Sequence, residues 1–261
     1  MALMGRQKGV IAALVLYWPT IFAIAHVPVP EVVRQAHMSD KSLHLLVYMI
    51  LTFLLQSALR PREKVRWRQA ATWWVIGVII LYGVVDESLQ HYVAGRSADA
   101  RDLLADAAGA FGTLGIMTVL SFWPASLVVT GLTIYTLTIF TRANLTALLP
   151  VTTVLFHFAG YGLFTLLWIA CTHRRPSHER SGARWFATTA SVPAGLIIIT
   201  KASALISGKS FEGWDVIAAG VGILGAAAVA SLAECLGRKK AQSRANLNAG
   251  DETVEPEAMV P

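Results

Sequence analysis

The stretch GVVDESLQHYVAGRSADARDLLADAAGAFG, residues 83–112, gathers Asp86, Glu87, Gln90, Arg96, Asp99, Arg101, Asp102 and Asp106 within a chain that is otherwise almost continuous hydrocarbon. Its charges either mark a soluble segment or are the polar end of a set of membrane helices, and the composition around it decides between the two. Of 261 residues, 55% are hydrophobic and 15% charged, with a mean hydropathy of +0.55. Soluble domains carry about 25% charged residues, so the chain reads as an all-α, polytopic membrane helix bundle and the quoted stretch as a helix end, a loop and a helix start.

Working outward, apolar runs long enough to cross about 30 Å of hydrocarbon fall at residues 9–28, 42–59, 70–92, 102–122, 124–141, 150–172, 185–206 and 213–236. These predict eight transmembrane helices, separated by punctuation such as VPVP, RPREKVRWR, AGRSADAR, WPAS and HRRPSHERSGAR. The first run follows Arg6 and Lys8 as a signal peptide would. It is longer than a signal core and no small-x-small site closes it, so it is read as a retained helix. Residues 237–261 are polar and aperiodic, which predicts a structureless tail.

Positive loops resist translocation. With a cytoplasmic N-terminus, the inner loops hold Arg6, Lys8, Arg60, Arg62, Lys64, Arg66, Arg68, Arg174, Arg175, Arg180, Arg184, Arg238, Lys239, Lys240 and Arg244, which are 15 of the 22 basic residues. This predicts a multi-pass protein of a bacterial inner membrane with both termini cytoplasmic. The quoted stretch then faces the extracytoplasmic side. The net charge of +6 is thereby explained by topology. No basic patch is interleaved with aromatics outside a membrane run, so nucleic acid is excluded as a partner and membrane lipid is the expected one. Cys171 and Cys235 fall near inner helix ends and carry no disulfide or metal argument.

Sliding the chain against itself by 113 residues places His44 on His157, Tyr48 on Tyr161, Gly95 on Gly208, Ser97 on Ser210, Asp102 on Asp215, Gly109 on Gly222 and Gly112 on Gly225, with Arg96 on Lys209 and Asp99 on Glu212. The expectation is two parallel four-helix repeats, residues 1–123 and 124–236. The second copy is degenerate. At the same offset Asp40 becomes Thr153, Lys41 Val154, Asp86 Ile199, Glu87 Thr200, Gln90 Ser203, Arg101 Trp214 and Asp106 Ala219. Function is therefore expected in the first copy.

There, Lys41, His44 and Tyr48 lie three and four residues apart on one helix face, with Asp40 at the helix start. Asp86, Glu87 and Gln90 form a second polar face, and Asp102 and Asp106, one turn apart, a third. Gly109, Gly112 and Gly115 follow as small residues for close helix approach. Ionisable groups at membrane depth are costly, so they are expected to pair or to face a cavity. Three readings compete. One is a structural ion-pair network in which Lys41, Arg96 and Arg101 neutralise the acids. Another is an outer-leaflet pocket for a lipid head group, with Arg96 and Arg101 as anion clamps. The third is catalysis, with His44 and a carboxylate as acid and base, or the acids holding a divalent cation against a pyrophosphate. No His-Glu-x-x-His helix, phosphate loop or nucleophile elbow is present, so spacing alone names no catalytic residue, no metal ligand and no cofactor. His26 and His37 have no partner pattern and read as incidental.

SDKSLHLLVYMILTFLL (39–55) and VVDESLQHYVAGRSADARDLLADAAGAFG (84–112) resemble the VanZ-like family. The residues that carry the resemblance are Asp40, Lys41, His44, Tyr48, Asp86, Glu87, Gln90, Arg96, Asp102, Gly109 and Gly112. It covers residues 10–122, and the second half only as a degenerate copy. Asp106 departs from it, standing where the family pattern has Asn. The resemblance implies a small integral membrane protein of the cell envelope, with a link to low-level resistance to the glycopeptide teicoplanin through the family's founding member, but no reaction. It makes a lipid-linked or glycopeptide ligand on the outer face the expected partner, with a membrane enzyme and a small transporter as alternatives.

Overall fold

The computed structural model describes residues 5–26, 40–61, 63–93, 99–140, 150–172, 182–208 and 213–251. Among these there are eight helices and no strand: α1 Gly5–Ala25, α2 Asp40–Leu59, α3 Ala70–Gln90, α4 Ala100–Val119, α5 Phe122–Phe140, α6 Pro150–Thr172, α7 Gly182–Ile206 and α8 Gly213–Asp251. All eight are long and apolar enough to span a membrane. Hydrocarbon cannot satisfy open backbone groups, which is why such a chain folds as helices. The outer faces agree: Leu16, Ile24, Leu81, Leu104, Ile206, Leu232 and other large apolar side chains are exposed around the bundle. The spans expected from hydropathy are present with shifted ends. The largest difference is α8, which continues past residue 236 to Asp251. The polar segment that follows the apolar run holds three Ala, two Lys and two Arg among residues 237–251, good helix formers that need no core to extend an existing helix.

In the first half, α2 packs most extensively on α4, and in the second half α6 packs most extensively on α8. One core holds Leu46, Met49, Leu51, Phe53, Val75, Ile79 and Leu114; a second holds Ile134, Tyr161, Phe164, Ala219 and Ile223. With no hydrophobic drive between helices in lipid, such contacts depend on close backbone approach. Gly109 supplies it on α4. A Cβ there would collide with the Leu45 carbonyl and stand 3.1 Å from the Met49 nitrogen. Thr113, one turn on, donates its hydroxyl to the Met49 carbonyl at 3.0 Å. At Gly222 on α8 the corresponding Cβ would collide with the Phe158 carbonyl and stand 3.2 Å from the Gly162 nitrogen. The expectation for Gly112 and Gly115 fails: a Cβ at either meets nothing within 4 Å. Only Gly109 has the helical phase that faces α2.

The two ends of the first four helices differ in charge. At one end Arg6 donates to the Pro61 carbonyl, Gln7 to the Ala58 carbonyl at 3.1 Å and Lys64 to the Val119 carbonyl at 2.5 Å. Arg60 pairs with Glu63 at 3.2 Å nearby. The opposite end carries Lys41, Asp86, Glu87, Asp99, Asp102 and Asp106, because α2 and α4 begin there and α3 ends there.

Gly109→Ala is expected to force α2 and α4 apart at a cost of about 1–3 kcal/mol, seen as a lower apparent Tm in detergent. Gly112→Ala is expected to be neutral or stabilising by up to about 1 kcal/mol, since it adds helix propensity in open space. Equal losses in the two variants would contradict the packing described.

Candidate functional site

The start of α4 organises the acidic end. Asp99 caps the helix by accepting the Arg101 backbone N–H at 2.9 Å, the ordinary use of an Asp at this position. Its own backbone N–H donates to Glu87 Oε2 on α3 at 3.0 Å. Lys41 at the start of α2 reaches both Asp99 Oδ2 at 3.1 Å and Asp102 Oδ1 at 3.4 Å. The Arg101 backbone N–H and the Lys41 ammonium together hold the Asp99 carboxyl below the usual carboxylate range. One cation and one cap thus tie α2, α3 and α4 together, which is the Lys41 part of the structural reading alone.

Deeper in the bundle the pairing changes character. His44 Nδ1 lies 2.9 Å from Asp106 Oδ1, and both residues are buried. An ionised carboxylate only accepts, so the proton belongs on Nδ1. In the neutral ring Nε2 is then an acceptor, and it faces Glu87 Oε1 at 3.8 Å. His44, Glu87 and Asp102 each bring one ligand-type atom to within 4.8 Å of the others. Asp106 is 0% exposed and Glu87 7%. Among the described residues Glu87 Oε1, Asp106 Oδ2 and the Tyr48 hydroxyl, all buried, have no hydrogen-bond partner. Buried polar atoms in this state call for a ligand, water or ion.

Beside this cluster a cavity of about 190 Å³ opens between α1, α2 and α3. Ile21, Ile24, Ala25, Leu43 and Val47 give it an apolar wall, and His44, Tyr48, Asp86 and Gln90 a polar one. Gln90 donates to Asp86 Oδ2 at 2.8 Å, which orients both groups. His44 belongs to the cavity wall and to the cluster behind it.

The expected residues Lys41, His44, Tyr48, Asp86, Glu87, Gln90, Asp99, Asp102 and Asp106 therefore converge at one end of the first four helices. Arg101 does not join them through its side chain. It is exposed, and among the described residues its guanidinium makes no ion pair. Its place in the first turn, between Asp99 and Asp102, turns it outward. Arg96, His37 and the side chain of Asp40 lie outside the described residues. Two residues not singled out from sequence contribute. His26 at the end of α1 bonds through Nδ1 to the Phe22 carbonyl at 2.8 Å, and that nitrogen stands 3.9 Å from Asp86 Oδ1. Gly83 on α3 makes room for the site, since a Cβ there would stand 2.9 Å from Asp106 Oδ2. A glycine one turn before Asp86-Glu87 was the available signal for Gly83; nothing in the sequence pairs His26 with Asp86.

At the 113-residue offset His157 and Tyr161 keep the ring arrangement of His44 and Tyr48, with centroids 6.2 Å apart against 6.3 Å. With Ala219 in the place of Asp106, His157 Nδ1 instead meets the Thr153 carbonyl at 2.8 Å and lies 3.7 Å from Asp215 Oδ1. Tyr161 shares a hydrogen bond with Thr200, in the place of Glu87, at 3.1 Å.

No curated protein and no solved structure matches the chain. The VanZ/LLP1 family model matches residues 13–123. That span holds α2, α3, α4, most of α1 and every described member of the cluster. Over these residues the chain is similar to the VanZ-like family.

Proposed function

We propose that this VanZ-like membrane protein binds the head end of a lipid-linked envelope component in the cavity between α1, α2 and α3, from the extracytoplasmic leaflet of a bacterial inner membrane. The observation that carries the reading is the two-sided wall of that cavity. Ile21, Ile24, Ala25, Leu43 and Val47 suit a polyprenyl or acyl chain, and His44, Tyr48, Asp86 and Gln90 suit a hydroxylated head group. Few precisely placed polar groups in an apolar cleft are what a small-ligand site needs. The proposed orientation rests on the gathering of Arg6, Arg60 and Lys64 at the other end of the helices and on the bias of basic residues to the cytoplasm. A protective role against glycopeptides is the physiological form of this proposal that the family resemblance favours.

A second reading, acid–base chemistry on the bound ligand, draws support from the His44–Asp106 contact at 2.9 Å with Glu87 Oε1 3.8 Å beyond the ring. We take residues 124–236 to be a degenerate copy of the first four helices. The close approaches at Gly109 and Gly222 support this, as does the loss of Asp86, Glu87 and Asp106 from the later positions. A transporter would need a more even distribution of polar groups.

Native mass spectrometry of the detergent-solubilised full chain tests the ligand class, with an undecaprenyl-pyrophosphate-linked sugar and phosphatidylglycerol as competing probes. The wild type is expected to retain the lipid-linked sugar preferentially. Asp86→Asn combined with Gln90→Ala should weaken retention about tenfold, about 1.4 kcal/mol. Equal retention of both lipids, unaffected by the substitutions, contradicts the proposal; a mass change in the bound lipid would favour the enzymatic reading.

Orientation is tested by single cysteines in a chain with Cys171 and Cys235 replaced by Ala. Tyr92→Cys is expected to react with an impermeant maleimide in intact spheroplasts, and Glu63→Cys only after permeabilisation. The opposite pattern would reverse the topology.

A further inference from the structure

We infer that His44, Glu87 and Asp102 form a binding site for a divalent cation of the Mn2+ type, with Asp106 as the residue that orients the histidine. The three ligand-type atoms come from three helices and lie within 4.8 Å of one another. Ligand atoms that share an ion at about 2.0–2.2 Å stand roughly 3.0–3.5 Å apart, so rotamer adjustments of less than about 1 Å close the site. The facing pair His44 Nε2 and Glu87 Oε1 is already at 3.8 Å, too long for a hydrogen bond and close to the span of two ligands of one ion.

A cluster of acids alone would not carry this conclusion. Two further features point to a ligand. Glu87 is 7% exposed, and its Oε1 has no hydrogen-bond partner among the described residues although it is directed at the imidazole. The contact of His44 Nδ1 with Asp106 Oδ1 at 2.9 Å is the outer-shell arrangement of a metal-binding histidine: the carboxylate takes the Nδ1 proton, fixes the ring and raises the basicity of Nε2. Neutral Nε2 is the form that ligates.

Charge favours the same answer. Glu87, Asp102 and Asp106 are buried at one helix end, and Lys41, paired with Asp99 and Asp102, is the one described cation that contacts these acids. Buried carboxylates without neutralisation are costly at membrane depth. One imidazole with two carboxylates lies between nitrogen-preferring Zn2+ and oxygen-preferring Mg2+, a set that suits Mn2+. Three protein ligands also leave coordination positions for a substrate oxygen. His44 belongs to the cavity wall, so those positions adjoin the cavity. The role of the ion rests on the ligand reading proposed above: an acidic wall repels a bare phosphate, and a bound cation would bridge the carboxylates to the phosphate of a lipid-linked ligand. Ion binding itself does not depend on that reading.

The test uses the full-length protein in detergent, stripped with a chelator, and Mn2+ alone. Equilibrium dialysis is expected to show about one ion per chain, with a rise in apparent Tm on adding Mn2+. Pulsed electron paramagnetic resonance of the bound ion should show nitrogen modulation from one imidazole. Glu87→Gln and Asp102→Asn are expected to weaken binding more than tenfold and to abolish the Tm rise. Asp106→Asn should weaken it about 10–100-fold through the ring. A wild type that leaves dialysis without Mn2+, or binds it with no nitrogen modulation, overturns the inference, as do variants that bind as tightly as the wild type. The nitrogen signal is read on the wild type, so the test stands even if a variant fails to fold. With no lipid present, a negative result here leaves the lipid-retention experiment to decide the ligand reading separately.

Discussion

The backbone of α4 at Gly109 lies so near the carbonyl of Leu45 on α2 that a Cβ would not fit between them, and the acidic end depends on this approach. Leu45 follows His44 directly, and Gly109 lies one turn after Asp106. Bringing these two helices together at a residue with no Cβ is what lets an imidazole on one meet a carboxylate on the other at 2.9 Å. Any larger residue at Gly109 would move Asp106 away from His44 and Asp102 away from Lys41. Gly83 plays the matching part on α3, leaving the space that Asp106 Oδ2 occupies. Packing and electrostatics are here one problem, because in lipid the close contact is the main source of helix association and the charges it brings together have little water to solvate them.

The second half shows what the same helix contact looks like with Ala219 and Thr200 where the first half has Asp106 and Glu87. Gly222 approaches Phe158 as Gly109 approaches Leu45, and His157 and Tyr161 keep their stacked relation. With Ala219 and Thr200 in the places of Asp106 and Glu87, the histidine turns to a backbone carbonyl within its own helix and the tyrosine to a threonine hydroxyl. These are inexpensive, local solutions. A helix pair of this kind therefore packs with Asp215, the counterpart of Asp102, but with no carboxylate at the places of Glu87 and Asp106, which leaves those two in the first half to be explained by something other than packing. The Lys41–Asp99–Asp102 connections account for part of the charge in structural terms; they do not reach Glu87 Oε1 or Asp106 Oδ2.

Hydropathy made the eight spans legible in the sequence, since a span needs only length and apolar content. Spacing likewise put Lys41, His44 and Tyr48 on one face and Asp102 and Asp106 on another. Which glycine makes contact was not legible: Gly109, Gly112 and Gly115 look alike until the direction of α2 is known. The same is true of Arg101, which reads as a counter-ion for its acidic neighbours and is turned outward by its place in the first turn. His26 is held locally by the Phe22 carbonyl at 2.8 Å, and its proximity to Asp86 exists only because α1 lies against α3. The extension of α8 to Asp251 is not legible because a polar, aperiodic segment gives no packing signal, although its Ala, Lys and Arg residues can extend a helix already begun.

The central claim is that the polar groups of α2, α3 and α4 converge beneath a half-apolar opening at the end of the bundle away from Arg6 and Lys64. A cryo-electron microscopy map of the full chain in lipid nanodiscs, at side-chain resolution, tests it most directly. The account predicts His44, Glu87, Asp102 and Asp106 in one cluster, with density for an amphiphile against Ile21, Ile24 and Val47. Glu87 and Asp106 on separate faces, or a cavity closed over by Leu43 with every carboxylate oxygen paired to protein, would contradict it.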